Sequence, residues 1–162
     1  MKIFKKFFVG LLALIMTMSI FTSCAKDPVT EEFINFLNVE MAVPNANYIE
    51  ITALAGEWQN TQDNETWIAN LDKCLEYANN SKDIVSKIEL TTEEVTALKD
   101  TYLKMLEKYI AGFTNIKDGI NKLDADLLDS GMANIEAGVE TLNEYNAGLE
   151  TIATEKGLTI SY

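Results

Sequence analysis

Few side chains here can do chemistry. The chain has two cysteines, Cys24 and Cys74, no histidine, and 13 basic residues, every one a lysine. A thiol can act as a nucleophile, a metal ligand, half of a disulfide or the acceptor of a modification. Without histidine there is no Glu-x-x-His pair for a carboxylate-bridged di-iron site, no histidine axial ligand for haem and no Cys/His cluster for structural zinc. Asp124, Asp126 and Asp129 bring three carboxylates together, but a calcium loop needs an oxygen ligand where Leu128 stands and a glycine directly after it. Helix capping is the reading of that trio. No Gly-x-Ser-x-Gly elbow, phosphate-cradling glycine loop or dinucleotide fingerprint occurs, and no carboxylate interrupts an apolar seam. The sequence therefore assigns no catalytic residue, no cofactor-binding residue and no metal ligand, and an enzyme is not expected.

The chemistry that remains belongs to Cys24. Lys2, Lys5 and Lys6 form a basic start, Phe7 to Phe21 is an almost unbroken apolar run, and Thr22-Ser23 place small residues just before the cysteine. That order is the layout of an export signal. At about fifteen residues the run falls short of the roughly twenty that a spanning helix needs. Phe21-Thr22-Ser23-Cys24 resembles the lipobox of bacterial lipoproteins, with Phe21 standing where an aliphatic residue is usual. The resemblance implies cleavage before Cys24, acylation of its sulphur and attachment to a membrane on the extracytoplasmic side. Residues 1–23 are then a signal peptide, 24–29 a short lipidated tether and 30–162 the folded domain.

Removing the first 23 of 162 residues leaves 139, the size of one domain with one core. The formal charge of −12 becomes about −15 once the three signal lysines are lost. An acidic surface without arginine is unsuited to nucleic acid, whose binding rests on cationic contacts to phosphate. The same field repels an anionic bilayer, so attachment rests on acyl chains at Cys24. Cys74, left as the single thiol, has no internal disulfide partner, and its spacing places it in the core.

Hydrophobic periodicity predicts helices throughout. Thr30-Glu31-Glu32 reads as a cap and an acidic first turn, followed by Phe33, Phe36, Leu37 and Met41. Pro44 must break or kink this arm at residues 43 to 46 before Tyr48, Ile51 and Ala55 resume the pattern. After a polar turn at residues 59 to 65, a second arm starts near Asn64; its seam of Trp67, Leu71, Cys74, Ala78, Ser81, Val85 and Ile88 repeats at alternating four and three. Thr91-Thr92-Glu93-Glu94 reads as a capping box ahead of a third arm carrying Val95, Leu98, Tyr102, Met105, Tyr109, Phe113, Ile116, Ile120 and Leu123. A break near Asp124 gives arms of comparable length, whereas a break near Gly131 leaves a seam overhanging. The fourth arm runs through Ile135, Leu142, Tyr145, Leu149 and Ile152 to a left-handed cap at Gly157. Gly131 and Gly138, seven apart, share a face as a thin seam or site of close helix approach. The expected fold is all-α, an antiparallel up-down four-helix bundle with its first helix kinked or broken near Pro44.

In layout the chain is similar to small all-helical bacterial lipoproteins without an assigned activity. The expected function is a lipid-anchored binding or scaffolding module of the cell envelope, meeting an envelope protein or the cell wall and needing no cofactor. The alternative is a carrier or sensor for a small apolar ligand held near Cys74, Ala78 and Gly138.

Overall fold

The computed structural model describes residues 27–57 and 63–160. Every regular element among them is helical: α1 (Pro28–Asn35), a π-helical turn (Phe36–Glu40), α2 (Ala42–Glu57), α3 (Asn64–Ser86), α4 (Glu93–Lys122) and α5 (Ala125–Glu155).

The first arm starts three residues earlier than its threonine suggested. Asp27 is the N-cap residue and Pro28 opens the helix, where a fixed φ is an advantage and the missing amide costs nothing. Thr30 lies inside the first turn and its hydroxyl donates to Asp27 Oδ2 at 2.9 Å. The interruption also lies upstream of the expected window at 43 to 46. Proline cannot tolerate the carbonyl four residues before it in a regular helix, and for Pro44 that residue is Glu40. The backbone therefore widens over Phe36–Glu40, Met41 N–H donates to Phe36 O at 2.9 Å, and α2 restarts at Ala42. Pro44 thus occupies a first turn, where its lack of an amide proton leaves no ladder bond broken. Through the irregular stretch Phe36, Leu37 and Met41 remain buried.

From α2 onward, successive helices run antiparallel. Asn47 of α2 donates from Nδ2 to Asn80 Oδ1 at 2.8 Å and to Ser81 Oγ at 3.0 Å on α3. Lys82 pairs with Glu107 at 3.0 Å, Lys117 with Asp72, and Lys99 donates to Ile88 O at 3.1 Å, which orients α3 against α4. α5 returns along α4 through a close, glycine-lined approach. A β-carbon on Gly112 would lie 3.0 Å from Gly131 O, and one on Gly131 would lie 2.9 Å from Gly112 O and 2.8 Å from Ile116 N. On the same face Gly119 meets Leu128, Gly138 lies under the Tyr109 ring and Gly148 under Leu98. Backbones this near let Ile116, Ile135, Leu142 and Leu149 interdigitate, and each large side chain so buried contributes about 1.5–3 kcal/mol. Gly131 and Gly138 are thus close-approach positions with no groove above them.

The break between α4 and α5 falls near Asp124, the earlier of the two candidates. Leu123 takes the left-handed cap with φ 53°, Asp124 N–H donates back to Gly119 O at 3.0 Å, and the Asp124 carboxylate then caps α5 by accepting from the amides of Asp126 and Leu127. Leu123, expected on the buried seam, is instead 88% exposed, because the left-handed turn takes it off the helix face. At the other end Gly157, φ 66°, closes α5, and Leu158 N–H donates to Ala153 O at 2.8 Å.

Candidate functional site

Cys24 and the whole segment before it lie outside the described residues. The first described residue, Asp27, is only three positions beyond Cys24, a span of at most about 11 Å of extended chain. What holds Asp27 therefore fixes where Cys24 can be.

Asp27 is held firmly. Its Oδ2 pairs with Lys156 Nζ at 2.6 Å and accepts from Thr30. The Lys156 ammonium and then the Thr30 hydroxyl hold this carboxyl below its usual range, and Asp27 in turn raises Lys156. The start of the first arm is thereby pinned to the end of the last.

One helical turn on, Glu32 reaches the start of α4. Its Oε1 accepts from Thr91 N–H at 2.6 Å and Thr91 Oγ1 at 2.8 Å; its Oε2 accepts from Thr92 N–H at 2.8 Å and from the Thr92 hydroxyl. Burial at the helix entrance works to raise this carboxyl, but donation from the Thr92 hydroxyl, both amides and the Thr91 hydroxyl outweighs it and holds the group at about 2. This overturns the capping box expected at residues 91–94. The helix starts at Glu93 with Thr92 as its cap residue, and the Thr92 side chain makes no cap bond of its own. A carboxylate 59 residues away in sequence from Thr91 does the capping. No local spacing in the sequence marks such a partner. The Asp-Pro pair at 27–28, by contrast, is a helix-start signal that was legible.

The other candidates have structural roles. Cys74 has no exposed surface, and burial pushes its thiol up to about 12, so hardly any thiolate forms at neutral pH. Asp124 uses its carboxylate on the α5 amides, and no group of three or more His, Cys, Asp or Glu placed to hold a metal ion occurs among the described residues. No described helix is long and apolar enough to cross a membrane.

At the centre Tyr48, Tyr102, Tyr109 and Tyr145 form two aromatic pairs, Tyr102 meeting Tyr145 edge-on at 5.2 Å and Tyr48 lying 6.2 Å from Tyr109. Burial pushes Tyr48 up to about 12 and raises the other three further. Tyr102 donates to Pro44 O at 3.3 Å, while the hydroxyls of Tyr109 and Tyr145 find no acceptor among the described residues. Tyr102 and Tyr145 border a cavity of about 10 Å³, space for one water molecule and no larger ligand. Cys74 and Ala78 have no exposed surface, and the Tyr109 ring covers Gly138. At the opposite end of α4 from Glu32, Trp67, Ile120, Leu123 and Leu128 border an open hollow of about 340 Å³.

Comparison with known proteins finds no matching family, no similar curated protein and no similar solved structure.

Proposed function

We propose that the chain is a lipid-anchored module of the cell envelope, processed before Cys24, acylated on that sulphur and held on the extracytoplasmic side of a membrane, where its helical domain binds or scaffolds an envelope protein or the cell wall. The observation that carries this reading is the order basic start, apolar run, Thr22-Ser23-Cys24, followed within three residues by Asp27 in an ion pair with Lys156. A tether that short, ending on a fixed residue, suits a protein meant to sit at one set distance from a bilayer. The acidic composition adds to it, since a chain at −12 gains little from touching anionic lipid with its own surface.

The domain itself we read as an up-down four-helix bundle, with α1, the π turn and α2 together serving as the first rod. The antiparallel pairings of α2 with α3, α3 with α4 and α4 with α5 support this, as does the Asp27–Lys156 link between the first rod and the last.

The intact mass of protein extracted from membranes tests the anchor. The expected mass is that of residues 24–162 plus acyl chains, and Cys24→Ser is expected to abolish the lipid increment and prevent processing at that site. An unmodified mature chain in the culture medium would overturn the proposal.

A further inference from the structure

α2 differs from the other helices in being apolar on both sides. Its inner face, with Tyr48, Ile51 and Ala55, is buried. Its outer face repeats Ala42, Ala46, Ile49, Ala53 and Gly56 at alternating spacings of four and three, and all five are exposed. That is the spacing of a second helix-packing seam. Of the four exposed large hydrophobics among the described residues, Val39, Val43 and Ile49 belong to this one arm, at 61%, 52% and 56%. From residue 41 to residue 56 the only charged side chain is Glu50, in a chain of which 23% is charged. A helix apolar all round belongs in an interior, yet nothing among the described residues covers this side.

Gly56 adds an independent sign. Gly112, Gly119, Gly131, Gly138 and Gly148 each lie against a neighbour that a β-carbon would strike, whereas a β-carbon on Gly56 would meet nothing within 4 Å. Glycine inside a helix costs about 1 kcal/mol relative to alanine, and packing among the described residues gives no reason for it.

We propose that the outer face of α2 is the contact between two copies of this chain, packed side by side about a two-fold axis with their α2 helices parallel. Charge selects a second copy as the occupant. Any face carrying the average charge of this acidic chain repels the same face of its twin, and like charges set against each other cost affinity; the α2 face is nearly neutral and so is compatible with itself. In a parallel pairing the flanking Glu50 stands across from Asn45 of the copy, an uncharged amide, and not from a second carboxylate. The small side chains at 42, 46 and 53, with Gly56, let the two backbones come close. The parallel sense rests on the anchor proposed above: Asp27 is within about 11 Å of Cys24, so two copies standing in one leaflet present α2 in the same direction.

Disulfide trapping in membranes tests this. Ala46→Cys and Ala53→Cys are each made in the full chain, with Ala147→Cys on the exposed side of α5 as the control, and membranes are oxidised with copper phenanthroline before non-reducing electrophoresis. The expected result is a covalent dimer at both 46 and 53 and none at 147. A further Ala46→Lys change in the Ala53→Cys chain should cut the dimer about tenfold or more by burying a charge at the seam, with the far-ultraviolet circular dichroism unchanged because Ala46 is exposed. Monomer at both positions, whether α2 faces lipid, another protein or water, overturns the pairing. Dimer at 46 without dimer at 53 means antiparallel copies and overturns the arrangement in one leaflet. The distribution of the same protein between membrane and soluble fractions reports on Cys24 separately, so failure of the anchor and failure of the pairing are distinguishable.

Discussion

Gly112 and Gly131 meet backbone to backbone, each so close to the other's carbonyl oxygen that a β-carbon on either would lie about 3 Å from it. At Gly131 a rotation of the Ile116 side chain cannot by itself absorb the added methyl, because Ile116 N and Gly112 O, both main-chain atoms, also stand in the way. Gly131→Ala is therefore expected to lower stability by about 1–3 kcal/mol, overriding the roughly 1 kcal/mol of helix propensity it gains. Gly56→Ala, where the folded chain leaves open space, should instead raise the stability of the monomeric chain by about 0.5–1 kcal/mol. Urea titrations of the two variants at low protein concentration, compared with the parent, check the opposite signs.

Glu32 should make the fold sensitive to acid. Its carboxyl lies at about 2 in the folded chain against an ordinary 4.5. A depressed folded value means that its stabilisation is fully present above pH 4.5 and is lost as pH falls through about 2. Glu32→Gln is expected to cost about 1–2 kcal/mol at pH 7 by weakening the cap on α4. The gap between variant and parent should narrow steadily in urea titrations below pH 4.5. A gap of constant size would show that charge at Glu32 is not what secures Thr91 and Thr92.

The buried tyrosines should respond unequally to loss of their hydroxyls. Tyr102→Phe removes a donor to Pro44 O and should cost about 0.5–1.5 kcal/mol. Tyr145→Phe removes a buried hydroxyl with no acceptor among the described residues, so it should be neutral or stabilising. Thermal melts of both variants distinguish the two.

Leu123 occupies a left-handed backbone position, φ 53°, with 88% of its surface exposed. A branched side chain there carries a conformational cost of about 1–2 kcal/mol and returns little burial. Leu123→Gly should raise the free energy of unfolding, read from urea titrations, by about 1 kcal/mol after the greater chain entropy of glycine is counted. Loss of stability would mean that the leucine packs in the hollow beside Trp67.

Periodicity revealed most of the interior. The alternating four-three seam of Leu71, Cys74, Ala78, Ser81 and Val85 is buried throughout, as are Val95, Leu98, Tyr102, Met105, Tyr109, Phe113 and Ile116. Such patterns are local, and every residue in them answers to the same face. Less legible were contacts between residues far apart in sequence. Glu32 looks like an ordinary first-turn acid, and nothing near it points to Thr91. Asn47 looks like a surface amide, yet it is buried against Ser81. Pro44 signalled a break, but its steric effect falls on residues before it, so the irregular backbone lies at 36 to 41. Leu123 kept the helical period but was placed by a turn whose usual glycine is missing. At the candidate site, the Asp-Pro pair marked a helix start that the reading of Thr30 as the cap passed over, and nothing marked the Lys156 partner.

The Asp27–Lys156 pair leaves the chain nearly a closed ring, since its first described residue touches the turn that ends its last helix. Such a ring can be reopened elsewhere. A linker of a few residues joining these ends, with new termini cut at the exposed Leu123–Asp124 turn, would keep each long helix whole. Circular permutants of that design would carry their new termini at the far end of α4 from the Glu32 contact, on the opposite side of the fold from the Asp27–Lys156 pair.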